Sequence, residues 1–261
     1  MLVLIAESKT MTACDRHVAA SDRDGHRPAG EAVADAVMAS IRETDTQQLA
    51  SATRLSATMV RRLREMAYEF PNKTLGSPAI DAYTGMVFKA FAYPTLDAVC
   101  RADACRRIRI ISSLYGWLRP DDIIKAYRLD FTTPLAPGGK SLAAFQRQAV
   151  TDGLLATLKD TGEKLILNLL PGDAAKLIDW RQAAQYAAVV KADFVEVIPG
   201  GATRTPNSNR LKTLRGKLLR QIITDGLDSR EALLSAAGDD YAATPELSDS
   251  DTIIFTTTAT Q

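Results

Sequence analysis

Three short apolar runs constrain this chain most: residues 2–6 (Leu-Val-Leu-Ile-Ala), 164–169 and 253–255. Each has the length of a strand, and the first reads as a buried one. Between them lie longer segments with helical period: 31–43, where Val33, Val37 and Ile41 recur, and a helix from about Ser56 with Leu55, Met59, Leu63 and Met66 on one side and Arg61 and Arg64 on a solvated side. Further helices are expected after Tyr83-Thr84-Gly85 and over 95–105, 141–159, 207–224 and 229–236. Arg107-Ile108-Arg109-Ile110 alternates with the period of a strand over 107–112, and 186–198 makes one long strand or two short ones. The polar stretch to about Gly30, the segment 71–78 and the Tyr-, Arg-, Pro- and Gly-rich stretch 113–140 read as loop, and Pro199-Gly200-Gly201 as a turn. Strands and helices interleave without regular βαβ units. The expected fold is therefore α+β: a single domain over 1–261 with a mixed β-sheet core flanked by helices.

A net charge of +1 gives the chain no overall basic field, so any polyanion must be held by a local patch. No apolar run approaches the roughly 20 residues that span a bilayer. Met1 to Ile5 turns polar at Glu7 and Lys9, unlike a signal peptide, so neither membrane nor secretion is expected. Cys14, Cys100 and Cys105 form no even framework, and Cys100 and Cys105 would lie about 140° apart around one helix. With only His17 and His26 beside them, no metal site or cofactor is expected.

Pro137-Gly138-Gly139-Lys140-Ser141 resembles the end of a phosphate loop, but Pro134 stands where the motif needs glycine. The helix over 207–224 says more. Arg204, Arg210, Lys212, Arg215, Lys217 and Arg220 come with no acid between them. On a helical wheel Leu211, Leu214, Leu218 and Ile222 form one stripe, while Arg210, Lys217 and Arg220 take the opposite, solvated face. Arg215 falls inside the apolar stripe. A buried cation is costly unless paired, so Arg215 either meets an internal carboxylate or faces a cleft that receives an anion. Gly216 beside it permits close approach of another backbone. In 112–128, Arg119 and Arg128 with Tyr115, Trp117 and Tyr127 could cradle phosphate and base, or could be an aromatic core with surface arginines.

At these residues the chain resembles the YaaA family of peroxide-stress proteins, domain-of-unknown-function family 328. The resemblance rests on Leu114-Tyr115-Gly116, Leu118-Arg119-Pro120 and Tyr127-Arg128-Leu129, supported by Lys9-Thr10, Asp81-Ala82-Tyr83-Thr84-Gly85, Asn168-Leu169, Lys176, Arg215-Gly216 and Arg220. The blocks keep the family's order over nearly the whole chain. Departures mark a divergent member. The family's Ser-Pro-Ala is here Ala6-Glu7-Ser8, its Ala-Ser is Leu170-Pro171, its Glu-Tyr is Asp173-Ala174, and a C-terminal Lys-Arg is replaced by threonines 256–258.

The resemblance implies a compact α+β protein with a positive cleft, binding of duplex or distorted DNA, and a cytoplasmic role in limiting oxidative damage. It also implies a helix-hairpin-helix element, which would fall around Arg54 to Arg64, without the usual hairpin glycines. The expected anion-binding residues are Lys9, Thr84, Tyr115, Arg119, Arg128, Asn168, Lys176, Lys212 and Arg215. The alternative is an enzyme acting on a nucleotide or modified nucleobase, with Asp173 and Tyr83 as candidate catalytic groups. A third possibility is a scaffold in which every cation has its own carboxylate. DNA is the expected partner, and a monomer the expected state.

Overall fold

The structure, a computed structural model, describes residues 1–258; the last three residues of the domain expected over 1–261 lie outside the described residues. Its main sheet runs in the order Ala237–Gly238, Tyr241–Ala243, Thr252–Thr258, Ala188–Val197, Leu165–Asn168, Leu2–Ala6, Ile108–Ser112, Gly116–Leu118. The five strands from Thr252–Thr258 to Ile108–Ser112 are mutually parallel, and the outer strands pair antiparallel. Thr203–Arg204 also folds back antiparallel on Ala188–Val197. A mixed sheet flanked by helices is thus what the chain forms, with a parallel centre more regular than the interleaving of segments suggests.

Parallel strands are covered on both faces, which is why the runs carry little polar punctuation. Val3 and Ile5 point into one hydrophobic cluster with Val37, Ile41, Leu63, Leu214, Leu218 and Ile222, from the helices Glu31–Glu43, Ala57–Glu69 and Ser208–Thr224. Leu2 and Leu4, one residue out of phase, enter a second cluster with Val150, Leu154 and Leu158 of the helix Leu142–Thr161. Alternate side chains of a single strand therefore hold two helical layers.

Numbered in chain order, the five parallel strands lie 2-1-3-4-5. The first strand, Leu2–Ala6, has the second, Ile108–Ser112, on one side and the third, Leu165–Asn168, on the other. That is a topological switch point, and in open α/β sheets the crevice beyond the carboxyl ends of such strands is where ligands bind.

Several local expectations are corrected. Residues 71–78 contain a strand, Leu75–Pro78, which pairs with Arg16–His17 and Ile123–Ile124 in a small second sheet. The polar stretch before Gly30 also holds the helix Ala20–Gly25, and 113–140 holds the strands Gly116–Leu118 and Ile123–Ile124. The helix Thr46–Thr53, capped by Asp45, carries little apolar periodicity and was not foreseen. Residues 186–198 form one strand, Ala188–Val197. The alternation over 107–112 does not separate a wet face from a dry one, since Ile108–Ser112 is buried throughout. Arg109 reaches back to the end of the helix Ala98–Arg107 and donates from Nη1 to the carbonyls of Cys105, Arg106 and Ile108 at 3.2, 3.1 and 2.7 Å. Among the described residues no helix is long and apolar enough to cross a membrane.

Candidate functional site

The first strand delivers Glu7, Ser8 and Lys9 to the carboxyl edge of the sheet, the second delivers Ser112 and Ser113, and the third delivers Asn168. Two loops close around them. A Cβ on Gly85 would lie 2.2 Å from Ser8 Oγ, so the Thr84-Gly85 turn rests directly on the end of the first strand, and Thr84 N–H donates to the Thr10 carbonyl at 2.9 Å. A Cβ on Gly216 would lie 2.3 Å from the Val87 carbonyl oxygen, so the basic helix Ser208–Thr224 packs backbone to backbone on the helix Met86–Phe91. The close approach expected of Gly216 is therefore present, and it brings Arg215 beside this edge.

Arg215 is half-buried. Its enclosed Nε has no hydrogen-bond partner and the side chain forms no ion pair among the described residues. Burial holds the guanidinium below the usual arginine range, against the opposing fields of Asp193 and Asp173. Asp193 is itself engaged by Lys191 at 2.5 Å. Of the two outcomes open to this residue, an internal carboxylate partner is not the one found.

Lys9 follows the first strand and Lys176 the third, Lys212 shares the basic helix with Arg215, and Arg128 is tied to Lys9. Lys9 pairs with Asp130 at 3.1 Å in an exposed contact, and Arg128 Nη1 donates to the Lys9 carbonyl, which leaves its charge unneutralised. Lys176 and Lys212 are exposed. Asp173 is exposed and accepts the Ala174 amide at 3.0 Å, while Asn168 is buried and its Oδ1 accepts the Leu170 amide at 2.9 Å. Asn168 thus shapes the turn leaving the third strand.

Two expected members do not join this group. Arg119 follows Gly116–Leu118, whose antiparallel register (Ile110 opposite Leu118) carries it to the amino edge of the sheet, where it pairs with Asp121 at 2.9 Å. There it lines a cavity of about 770 Å³ with Arg27, Arg106, Arg109, Trp117 and Asp122. Tyr115 is buried against Phe70 and Tyr127, and its hydroxyl accepts the Lys125 amide at 3.0 Å. Tyr115 and Tyr127 are core aromatics rather than stacking platforms. The solvated face expected on the basic helix is also corrected: Arg210 and Lys217 share Asp240 at 3.0 and 2.8 Å, and Arg220 donates to the carbonyls of Phe91 and Ala92. The hairpin 237–243 covers that face and supplies the acid.

A group missed from sequence stands directly after the first strand. Glu7 is half-buried; its Oε2 accepts the Ser113 amide at 2.7 Å and the Tyr127 hydroxyl. Tyr127 Oη lies 2.7 Å from both Tyr83 Oη and Ser112 Oγ. Burial raises the Glu7 carboxyl to about 7, although the bonds from Tyr127 and Ser113 pull it down. Tyr83 and Tyr127 are pushed well up by burial and by the Glu7 charge. The available signal was position alone: an acid directly after a buried parallel strand, where the family pattern has proline.

The helix pair around Arg54 is a hairpin in fact. Thr46–Thr53 and Ala57–Glu69 are joined by three residues, with Arg54 left-handed at φ 56° and Ser56 capping the second helix. Arg54, Arg61 and Arg62 are exposed.

Comparison with known proteins shows the family. The family described as peroxide stress protein YaaA matches residues 1–247. The chain is similar to a UPF0246 protein of Rhizorhabdus wittichii, 33% identical over 69% of this chain and 71% of the relative. A UPF0246 protein of Magnetococcus marinus is 30% identical over 84% and 85% of the two chains, and one of Parabacteroides distasonis 25% identical over 98% and 99%. With most of its length matched, and with the blocks around Lys9, Thr84, Arg128, Asn168 and Arg215 set along one edge of the sheet, the chain belongs to the peroxide stress protein YaaA family.

Proposed function

We propose that this protein binds DNA in the cytoplasm during peroxide stress, holding phosphates at the carboxyl edge of the sheet with Lys9, Arg128, Lys176, Lys212 and Arg215. The observation that carries this reading is Arg215: a half-buried guanidinium on the basic helix, with no carboxylate partner among the described residues. Desolvating a cation costs several kcal/mol, about what a phosphate could return by pairing with it. The exposed Lys9–Asp130 pair adds little stability and yields readily to a phosphate. The hairpin arginines Arg54, Arg61 and Arg62 offer further phosphate contacts to a duplex long enough to reach them. Binding should weaken with salt, the logarithm of affinity falling by about 0.9 per phosphate neutralised for each tenfold rise in salt. Fluorescence anisotropy with duplex and bubble DNA across a salt series tests this, and salt-insensitive or absent binding would refute it.

A second reading, an enzyme acting on a nucleotide or modified nucleobase in the same crevice, is favoured by one observation. Glu7 combines partial exposure with a carboxyl that titrates near neutrality, the property wanted of an acid–base group. Tyr83 enters this reading through its bond to Tyr127, and exposed Asp173 lies where its charge is felt by Arg215.

A further inference from the structure

Arg109 is only 7% exposed, yet it lines the cavity of about 770 Å³ at the amino edge of the sheet. A guanidinium carries five N–H donors. The two on Nη1 go to the carbonyls of Cys105, Arg106 and Ile108, which ties the group to the end of the helix Ala98–Arg107. The three on Nε and Nη2 donate to nothing among the described residues, and Arg109 forms no ion pair there. Nε is enclosed, whereas Nη2 keeps contact with solvent on a side chain that lines the cavity. The other buried arginine of this segment shows the contrast. Arg107 donates from Nε to the Met1 carbonyl at 3.3 Å, from Nη1 to Asp103 at 3.1 Å and from Nη2 to the Leu227 carbonyl. A buried cation with free donors destabilises the fold until something completes its shell.

Arg119 is the second cation at that end. The antiparallel register sets Ile110 opposite Leu118 and Ile111 opposite Trp117, so one step further Arg119 stands opposite Arg109. Like charges facing each other on adjacent strands repel. Burial, and after it the charge of Arg119, holds Arg109 below the usual arginine range, against the fields of Asp122 and Asp121. Asp121 meets Arg119 at 2.9 Å in a contact that leaves the Arg119 side chain half exposed. The other two arginines of the cavity are already neutralised, Arg27 by Glu31 and Arg106 by Asp103 and Glu163. A carboxylate would bring one charge and two oxygens to Arg109 and Arg119. A phosphate monoester brings close to two charges and three free oxygens, enough for both. Trp117 and Ala156 wall the rest of a space in the size range of small-molecule sites.

We propose that this cavity binds a small phosphate monoester, its phosphate held between Arg109 and Arg119 and its organic body against Trp117. The site lies at the opposite edge of the sheet from the residues assigned above to DNA and does not depend on that reading. Arg109 arrives oriented by the helix end, with Nη2 free to donate. The exposed Arg119–Asp121 pair is weak and yields to the phosphate. Two acids also face the cavity. Asp160 is exposed, while Asp122 is buried, accepts the Arg119 amide on Oδ2 at 2.8 Å and is raised by burial to about 7. Asp122 therefore opposes the ligand, and its removal has a definite sign.

The test uses the full chain with phenyl phosphate and with inorganic phosphate, by calorimetry at pH 8, where phenyl phosphate is a dianion and Asp122 is largely ionised. Wild type should bind phenyl phosphate about tenfold more tightly than inorganic phosphate. Arg119→Ala, at an exposed position, should weaken phenyl phosphate binding about tenfold. Arg109→Lys, which keeps a charge but loses the planar fork, should weaken it at least as much. Asp122→Asn, which keeps an acceptor for the Arg119 amide, should tighten it severalfold. No binding by wild type, or binding that Arg119→Ala and Arg109→Lys leave unchanged, overturns the proposal. Equal affinity for the two probes gives the site to the free phosphate ion and overturns the organic body. Weaker binding by Asp122→Asn makes that acid a partner of the ligand and overturns the anion site. A check on wild type alone is the indole N–H resonance of Trp117, whose Nε1 donates to Thr157 Oγ1 at 3.2 Å on the cavity wall. It should shift on saturation with phenyl phosphate; a resonance that does not move places the probe elsewhere and overturns the assignment.

Discussion

Gly216 lies so close to Val87 that a first side-chain carbon there would sit 2.3 Å from the Val87 carbonyl oxygen. A backbone carbonyl cannot be pushed aside as a side chain can. Gly216→Ala must therefore separate the two helices or fail to fold, at a cost of about 1–3 kcal/mol or more. Thermal unfolding should show a clearly lowered midpoint. The displaced Arg215 should also lose part of its anion affinity.

Arg215 itself should behave in the opposite way. Because no carboxylate among the described residues pairs with it, Arg215→Met should leave stability unchanged or raise it by about 1 kcal/mol. The same change should weaken duplex binding by about tenfold, the loss expected for one charge-assisted contact. Denaturant unfolding and anisotropy on one preparation check both halves. A variant that is destabilised instead would mean that Arg215 is held by the protein rather than kept for a ligand.

Glu7 makes stability depend on pH in a known direction. Its folded-state carboxyl titrates at about 7, above the value near 4.5 of an unfolded chain. Between these values the native state holds the extra proton, so unfolding releases one and stability falls as pH rises from about 4.5 through 7. Glu7→Gln should remove this slope and be more stable than wild type at pH 8, by up to about 3 kcal/mol. Asp122, raised by burial to about 7, adds a slope of the same sign that Glu7→Gln leaves in place. Unfolding midpoints of both proteins from pH 5 to pH 8 decide this.

Arg119 should be silent in DNA binding at the carboxyl edge. It sits at the amino edge of the sheet, bonded to Asp121. Arg119→Ala should leave the slope of affinity against salt unchanged, whereas Lys212→Ala should reduce it by about one. Equal losses in both variants would place the nucleic acid elsewhere.

Much of this architecture was legible in the sequence because it follows from local rules. Apolar runs too short for helices gave the strands at 2–6, 164–169 and 253–255, and the 3.6-residue period placed the helices at 31–43 and 207–224. The wheel position of Arg215 was enough to mark it as unusual. What could not be read depends on contacts distant in sequence. Asp240 neutralises Arg210 and Lys217 only because a later hairpin folds over the helix. Arg119 leaves the group because the strand before it turns back antiparallel. Glu7 shows its character only when Tyr83, Ser112 and Tyr127 meet beneath it from three separate segments.

The central claim is that the carboxyl edge of the parallel sheet is where nucleic acid sits. Amide chemical-shift mapping of the full chain titrated with a short duplex tests it most directly. The account predicts perturbations concentrated at residues 7–10, 84–86, 127–130, 168–176 and 212–216, with Arg109 and Arg119 unmoved. Perturbations centred on Arg109 and Arg119, or none at the carboxyl edge under conditions where the duplex is bound, would contradict it.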